Sequence, residues 1–107
     1  MKIVKDVTVR YTRYGYYDEH DYFIYHREDG PALICSDGEM HWYINDRLHR
    51  EDGPAVINDS YGIEDWYHYD KNITDGVTQW LEDHNIDNWQ SMTDEDKLAL
   101  SFYMRSL

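Results

Sequence analysis

Cysteine occurs once in this 107-residue chain, at Cys35, and proline only twice, at Pro31 and Pro54. A single thiol rules out an internal disulfide and points to a reducing compartment. Lysine and arginine together number 10 against 22 aspartates and glutamates, a formal charge of −12. A chain so poor in cations is repelled by nucleic acid and anionic membranes and is steered toward basic protein surfaces. The imbalance grows along the chain: residues 1–57 hold 11 acidic and 7 basic side chains, residues 58–107 hold 11 and 3. No apolar run approaches the roughly 18 residues of a membrane span. The opening Met1-Lys2-Ile3-Val4-Lys5-Asp6 has no stretch suited to a secretory signal. These absences lead to an expectation of a soluble cytoplasmic protein with neither a nucleic-acid nor a membrane partner.

What is abundant is aromatic. Eleven tyrosines and four tryptophans favour strands and interaction surfaces over a helical bundle. The 41% hydrophobic content argues against disorder, and the length suits one domain over residues 1–107. Within it, His26-Arg27-Glu28-Asp29-Gly30-Pro31-Ala32 recurs 23 positions later as His49-Arg50-Glu51-Asp52-Gly53-Pro54-Ala55. Identity over seven consecutive residues marks an internal repeat, the signature of one supersecondary unit stacked on copies of itself.

The flanks extend the unit. Gly38, Trp42, Tyr43 and Asp46 correspond to Gly62, Trp66, Tyr67 and Asp70, so the unit reads Gly-x3-Trp-Tyr-x2-Asp-Arg/Lys, the block, then a short apolar run. In this alignment the first unit keeps Gly15 and His26 but carries Asp18-Glu19-His20 where Trp-Tyr should stand, and the third lacks the block. Alternation predicts a strand over 40–44 with Met40, Trp42 and Ile44 on one face, a hairpin turn at Asn45-Asp46, and a returning strand over 47–50. Asp52-Gly53 should turn the chain, Pro54 should begin a new edge, and 55–57 should form a short strand. Residues 1–14 read as one opening strand.

The periodicity changes at residue 73. Thr74 suits an N-cap, Val77, Trp80, Leu81 and His84 share a helical face, and Asn85 suits a C-cap. A second helix is expected after the N-cap Thr93, with Asp94, Glu95 and Asp96 at its positive end. Leu98, Ala99 and Phe102 form its apolar stripe, widened by Leu100, Tyr103, Met104 and Leu107 and expected to face the sheet or a partner. The predicted fold is therefore α+β: a twisted antiparallel sheet of stacked β-hairpin repeats (1–72) followed by two C-terminal helices (73–107).

The block with its Trp-Tyr strand resembles the His-Arg-Glu-Asp-Gly-Pro-Ala repeats of small bacteriophage-encoded proteins. These are similar in style to membrane-occupation-and-recognition-nexus (MORN) repeats, which are β-hairpins laid side by side. The resemblance spans about residues 13 to 72, and the helical ending is similar too. It implies a phage accessory product acting in the host cytoplasm as an inhibitor of a host or defence protein.

The chemistry of the block has several readings. His26 and His49 with Glu28, Asp29, Glu51 and Asp52 offer imidazole and carboxylate groups suited to a metal or to acid/base work, which for a metal-dependent hydrolase requires the two histidines to converge. Repeated Arg, His and Tyr could instead trap a nucleotide signal. A structural role fits better, with Asp bonding the backbone locally, Gly allowing positive φ, Pro pre-setting the exit, and His and Arg bonding the neighbouring unit. Cys35 reads as a buried or half-buried small side chain. No catalytic residue, metal ligand or cofactor site is assigned. The expected partner is a host or defence protein with a basic surface, bound through Trp42, Tyr43, Tyr67, Asp94, Glu95 and Asp96; the last three, with Glu82, Asp83 and Asp87, also offer a carboxylate patch that could imitate phosphates. A homodimer through an exposed sheet edge is a further possibility.

Overall fold

The computed structural model describes residues 2–107; Met1, which the sequence reading placed in the opening strand, lies outside them. Eleven strands are formed among the described residues: β1 Val4–Val7, β2 Tyr11–Tyr17, β3 Phe23–Tyr25, β4 Leu33–Cys35, β5 Met40–His41, β6 Tyr43–Ile44, β7 Arg47–Leu48, β8 Val56–Asn58, β9 Ile63–Asp65, β10 Tyr67–His68 and β11 Lys71–Asn72. Two helices follow, α1 Thr74–Asp83 and α2 Asp94–Arg105. The arrangement is α+β, as the pattern predicts. An antiparallel sheet runs β1-β2-β4-β5-β8-β9, with β3 also paired to β2, and β6–β7 and β10–β11 form two-stranded ribbons.

The expected single opening strand is two. Thr8 breaks it, because its backbone N–H and its hydroxyl both donate to the Tyr11 carbonyl and close a turn between β1 and β2. The strand expected over 40–44 also divides, at Trp42, and the reason defines the repeat. Trp42 donates its N–H to the Ala55 carbonyl (2.8 Å), while its own carbonyl accepts from the His49 N–H (3.0 Å). Tyr14 does the same with Ala32 (2.7 Å) and His26 (3.0 Å). One residue of the outgoing strand thus holds both ends of the seven-residue block. The block is an excursion from a strand line, not the chain-reversing turn expected at Asp52-Gly53.

These bonds correct the alignment of the first unit: Tyr14 occupies the place of Trp42, and Asp18-Glu19-His20 belong to a longer hairpin loop. Register then sets Lys5, Tyr14, Ala32, Trp42, Ala55 and Trp66 side by side across the sheet. Large rings alternate with alanines that are fully buried. A bigger side chain at Ala32 or Ala55 would have to displace a ring on either side.

Each hairpin tip clasps the unit before it. Asn45 and Asp46, then Tyr69 and Asp70, carry positive φ at both turn positions, which is type I′ geometry. The Asp46 N–H donates to the Tyr25 carbonyl (2.7 Å) and its carboxylate accepts from the Tyr25 N–H (3.2 Å). Asp70 repeats both bonds on Leu48, at 2.9 and 2.8 Å.

The helices occupy the place of a third block. The Ile73 N–H donates to the Trp66 carbonyl as His49 does to Trp42, and the Thr74 hydroxyl accepts from the Trp66 N–H where Ala55 would. Ile73 is therefore the N-cap, one position earlier than the Thr74 expected, and Thr74 is the first helical residue. At the other end His84 is the C-cap, and Asn85 adopts the left-handed conformation just beyond it. Thr93 caps α2 in a capping box with Asp96. Trp66, Ile73, Val77, Trp80, Met92, Leu100 and Met104 form the apolar core. The stripe of α2 is turned from its expected direction: Leu100 and Met104 face inward, while Leu98 and Phe102 face solvent. Trp66 belongs to the same core as Leu100 and Met104, the α2 residues that face it.

Candidate functional site

The repeated block builds two equivalent loops. In the first, the Arg27 Nε donates to Asp29 (3.1 Å), its Nη1 donates to the Pro31 carbonyl (3.1 Å), and the guanidinium lies 3.9 Å from the centre of the Tyr14 ring. In the second, Arg50 makes the same bonds to Asp52 (3.0 Å) and Pro54 (3.1 Å) and lies 4.0 Å from the Trp42 ring centre. Each arginine hydrogen-bonds within its own loop, correcting the expectation that it bonds a neighbouring strand or the carboxylates of the next unit. Asp29 and Asp52 accept from these guanidinium groups and not from the local backbone. Gly30 and Gly53 lie outside the positive-φ region. They are glycines because a Cβ would stand 2.8 Å and 2.6 Å from the guanidinium carbon of Arg27 and Arg50. Burial pulls the Arg50 guanidinium below its ordinary pKa, against the opposing hydrogen bond and charge of Asp52.

The histidines do reach the next unit. The His26 Nδ1 accepts from the Asn45 N–H (3.0 Å), and the His49 Nδ1 accepts from the Tyr69 N–H (3.2 Å). Accepting at Nδ1 places the proton of the neutral ring on Nε2, which points toward Glu28 (3.7 Å) or Glu51 (3.9 Å). The two imidazoles bond different turns, and among the described residues no group of three or more His, Cys, Asp or Glu side chains is placed to hold a metal ion. The geometry that a two-histidine metal hydrolase requires is not formed by the block.

Between the two loops lies an open groove of about 910 Å³, lined by Arg27, Trp42, His49, Arg50, Tyr69 and Arg105 among others. Glu28, Asp29, Glu51 and Asp52 also border it, so its charges nearly cancel.

The opposite sheet face is different. Tyr17 meets Phe23 edge-on (5.3 Å between ring centres), Phe23 meets Tyr25 (5.1 Å), and Tyr25 meets Tyr43 (5.1 Å). His41 extends the strip beside Tyr43 (6.0 Å), and the Arg13 guanidinium lies 3.8 Å from the Phe23 ring centre while pairing with Asp6 at 2.9 Å. Tyr17 is exposed and the other rings are half-buried, covered by one another. The Tyr43 hydroxyl is pushed up in pKa, first by burial and then by Tyr25, Asp46 and Asp70.

The residues expected to bind a partner are divided among three places. Trp42 is half-buried on the loop face beneath Arg50. Tyr43 and Tyr67 stand on the opposite face, with Tyr67 accepting a bond from Asn72. Asp94 and Glu95 are exposed in the first turn of α2, and Asp96 is half-buried because it closes the capping box. The strip members Arg13, Phe23, Tyr25 and His41 lay outside the expected set. Period-two spacing puts Phe23 and Tyr25 on one side, but their meeting with Tyr43 depends on a hairpin 20 residues away in register. Cys35 is half-buried, and burial first, then Asp37 and Glu39, push its thiol up. No described helix is long and apolar enough to cross a membrane. Comparison with protein-family models, with curated proteins and with solved structures finds no match for this chain.

Proposed function

We propose that this chain is a non-enzymatic binding protein, a bacteriophage accessory product that docks on a basic surface of a host or defence protein in the host cytoplasm and inhibits or redirects it. The observation that carries the reading is the continuous strip of exposed Tyr17 and half-buried Phe23, Tyr25 and Tyr43 with Arg13 set into it, on a chain of charge −12. Tyrosine and arginine are the residue types that dominate interface energetics, and a rigid strand mount lowers the entropy lost on docking. The surrounding negative field would speed encounter with a cationic partner and weaken with salt. The exposed carboxylates of Asp94 and Glu95 in the first turn of α2 add to that field. The test is a pull-down of the tagged chain from host lysate, repeated with Tyr17→Ala and Tyr25→Ala. One stoichiometric partner, released by salt and lost in the variants while the dichroism is kept, supports the reading. Absence of any such partner, or capture indifferent to salt and to both substitutions, overturns it.

A second reading, a sponge for a nucleotide signal, rests on the groove that brings Arg27, His49, Arg50, Tyr69 and Arg105 together. Against it, both loop arginines already spend two donors on their own loops. A thermal-shift series with nucleotides tests it; no shift at millimolar ligand removes it.

A further inference from the structure

We propose that the outer face of α2 is a self-complementary surface that pairs antiparallel with the same helix of a second copy of this chain. The inference is independent of the aromatic strip. Glu95, Leu98, Phe102 and Arg105 follow one another at spacings of three, four and three, which aligns them as a single seam along the helix. Leu98 is 59% and Phe102 60% exposed, although Leu100 and Met104 on the inner side are fully buried. Ala99 flanks the seam, is also exposed, and leaves room for close approach.

The seam reads the same in both directions. Leu98 and Phe102 lie equally far on either side of Leu100, and so do Glu95 and Arg105. A two-fold axis passing beside Leu100 therefore stacks Leu98 on Phe102 of the second copy and Phe102 on its Leu98. At the two ends, Glu95 meets Arg105 of the second copy and Arg105 meets its Glu95. This is the isologous arrangement of a closed dimer, and it sets the two helix dipoles antiparallel. Among the described residues Arg105 has loose partners in the single chain, Glu51 at 3.5 Å and the Phe102 ring at 5.6 Å, which it can exchange. Favourable placement on the helix dipole accounts for Glu95 and Arg105 by themselves, but not for the two large apolar side chains exposed between them.

The sheet edge offers a poorer self-contact. Two β1 strands paired about a central two-fold set Lys5 against Lys5 or Asp6 against Asp6, and like charges directly opposite are unfavourable. A seam on one 12-residue helix is small, below roughly 1,000 Å² in total, so the association is weak and concentration-dependent.

Sedimentation equilibrium of the full chain from micromolar to millimolar concentration tests the proposal. The mass should rise from 13.0 kDa toward twice that value. Phe102→Asp should hold the chain monomeric with its far-UV dichroism unchanged, since the side chain lies outside the core. Glu95→Arg or Arg105→Glu alone should weaken the dimer roughly two- to thirtyfold, the range of two exposed ion pairs, and the double swap should recover it. A monomer throughout the range, a dimer insensitive to Phe102→Asp, or a double swap no stronger than the single ones overturns the proposal.

Discussion

Replacing His49 by leucine isolates the bond that joins successive repeats. The new side chain keeps an apolar body of similar size but has no acceptor for the Tyr69 N–H, which His49 Nδ1 now accepts at 3.2 Å. An unsatisfied, partly buried donor costs about 1–3 kcal/mol. The ring of His49 also stacks on Tyr69, with centres 3.8 Å apart and planes within 10°. Loss of that contact adds about 0.5–1.5 kcal/mol. Tyr69 sits at φ +42°, a conformation that a tyrosine keeps only while something holds it. The sum, about 1.5–4.5 kcal/mol, is a large part of the roughly 5–15 kcal/mol available to a domain of this kind. Urea unfolding followed by tryptophan fluorescence should show the midpoint falling by about 1–2 M at unchanged slope.

The same substitution has a pH signature. Burial, then the neighbouring His68 and Arg105, holds the His49 imidazole below its ordinary pKa, with Glu51 pulling the other way. In the window below about 6.5 the unfolded chain binds the proton that the folded chain refuses. The stability due to neutral His49 is thus complete above that value and declines as the pH falls through it toward the depressed folded value. Leucine removes the proton, so the variant should lose less stability between pH 7 and 5 than the native chain. A midpoint shift under about 0.3 M, or an equal loss over that pH range, would refute the linkage of Nδ1 to the turn.

Gly53→Ala should destabilise by about 1–3 kcal/mol through overpacking, because the added methyl meets the Arg50 guanidinium and Trp89; equal urea midpoints for variant and native chain would contradict that reason for the glycine. Glu39→Gln should flatten the acid limb. Its carboxyl is held below the usual range, first by His41 and then by Asn58, so its stabilisation is present above the carboxylate range and lost as the pH falls through it. A thermal-melt series from pH 6 to pH 3 compares the two chains. Thr93→Ala removes the capping box and should cost about 0.5–2 kcal/mol, read as a lower melting temperature with helical dichroism reduced at its midpoint.

The alternation, the Asn45-Asp46 hairpin and the Thr93 cap were legible because each depends on residues within a few positions. The block was legible as structural, but not in its details. Its aspartates serve the arginines, and its glycines make room for the same groups, because a guanidinium folds back over Tyr14 or Trp42. Nothing in the local spelling of Asp-Gly-Pro distinguishes that from a turn. The first unit was misread for a similar reason: Tyr14 stands for Trp42 through hydrogen bonds to Ala32 and His26, while the letters around it had diverged.

The candidate surfaces were harder still. Periodicity says which residues share a face but not which face is later covered. Tyr43 and Trp42 are neighbours in sequence, and a strand sends them to opposite sides, one into the aromatic strip and one beneath Arg50. In α2 the full set of apolar residues was visible, yet its division into core and exposed seam awaited the position of Trp66.

By itself, then, the sequence determined the repeat, its period and the succession of hairpin strands followed by two helices, since these follow from local backbone preference and near neighbours. Tertiary structure alone decided what the repeated polar residues hold and which apolar faces stay open. The reason is distance along the chain: His49 finds its acceptor role 20 residues on, Asp70 clasps Leu48 from 22 residues away, and α2 divides its faces around a tryptophan from the last repeat.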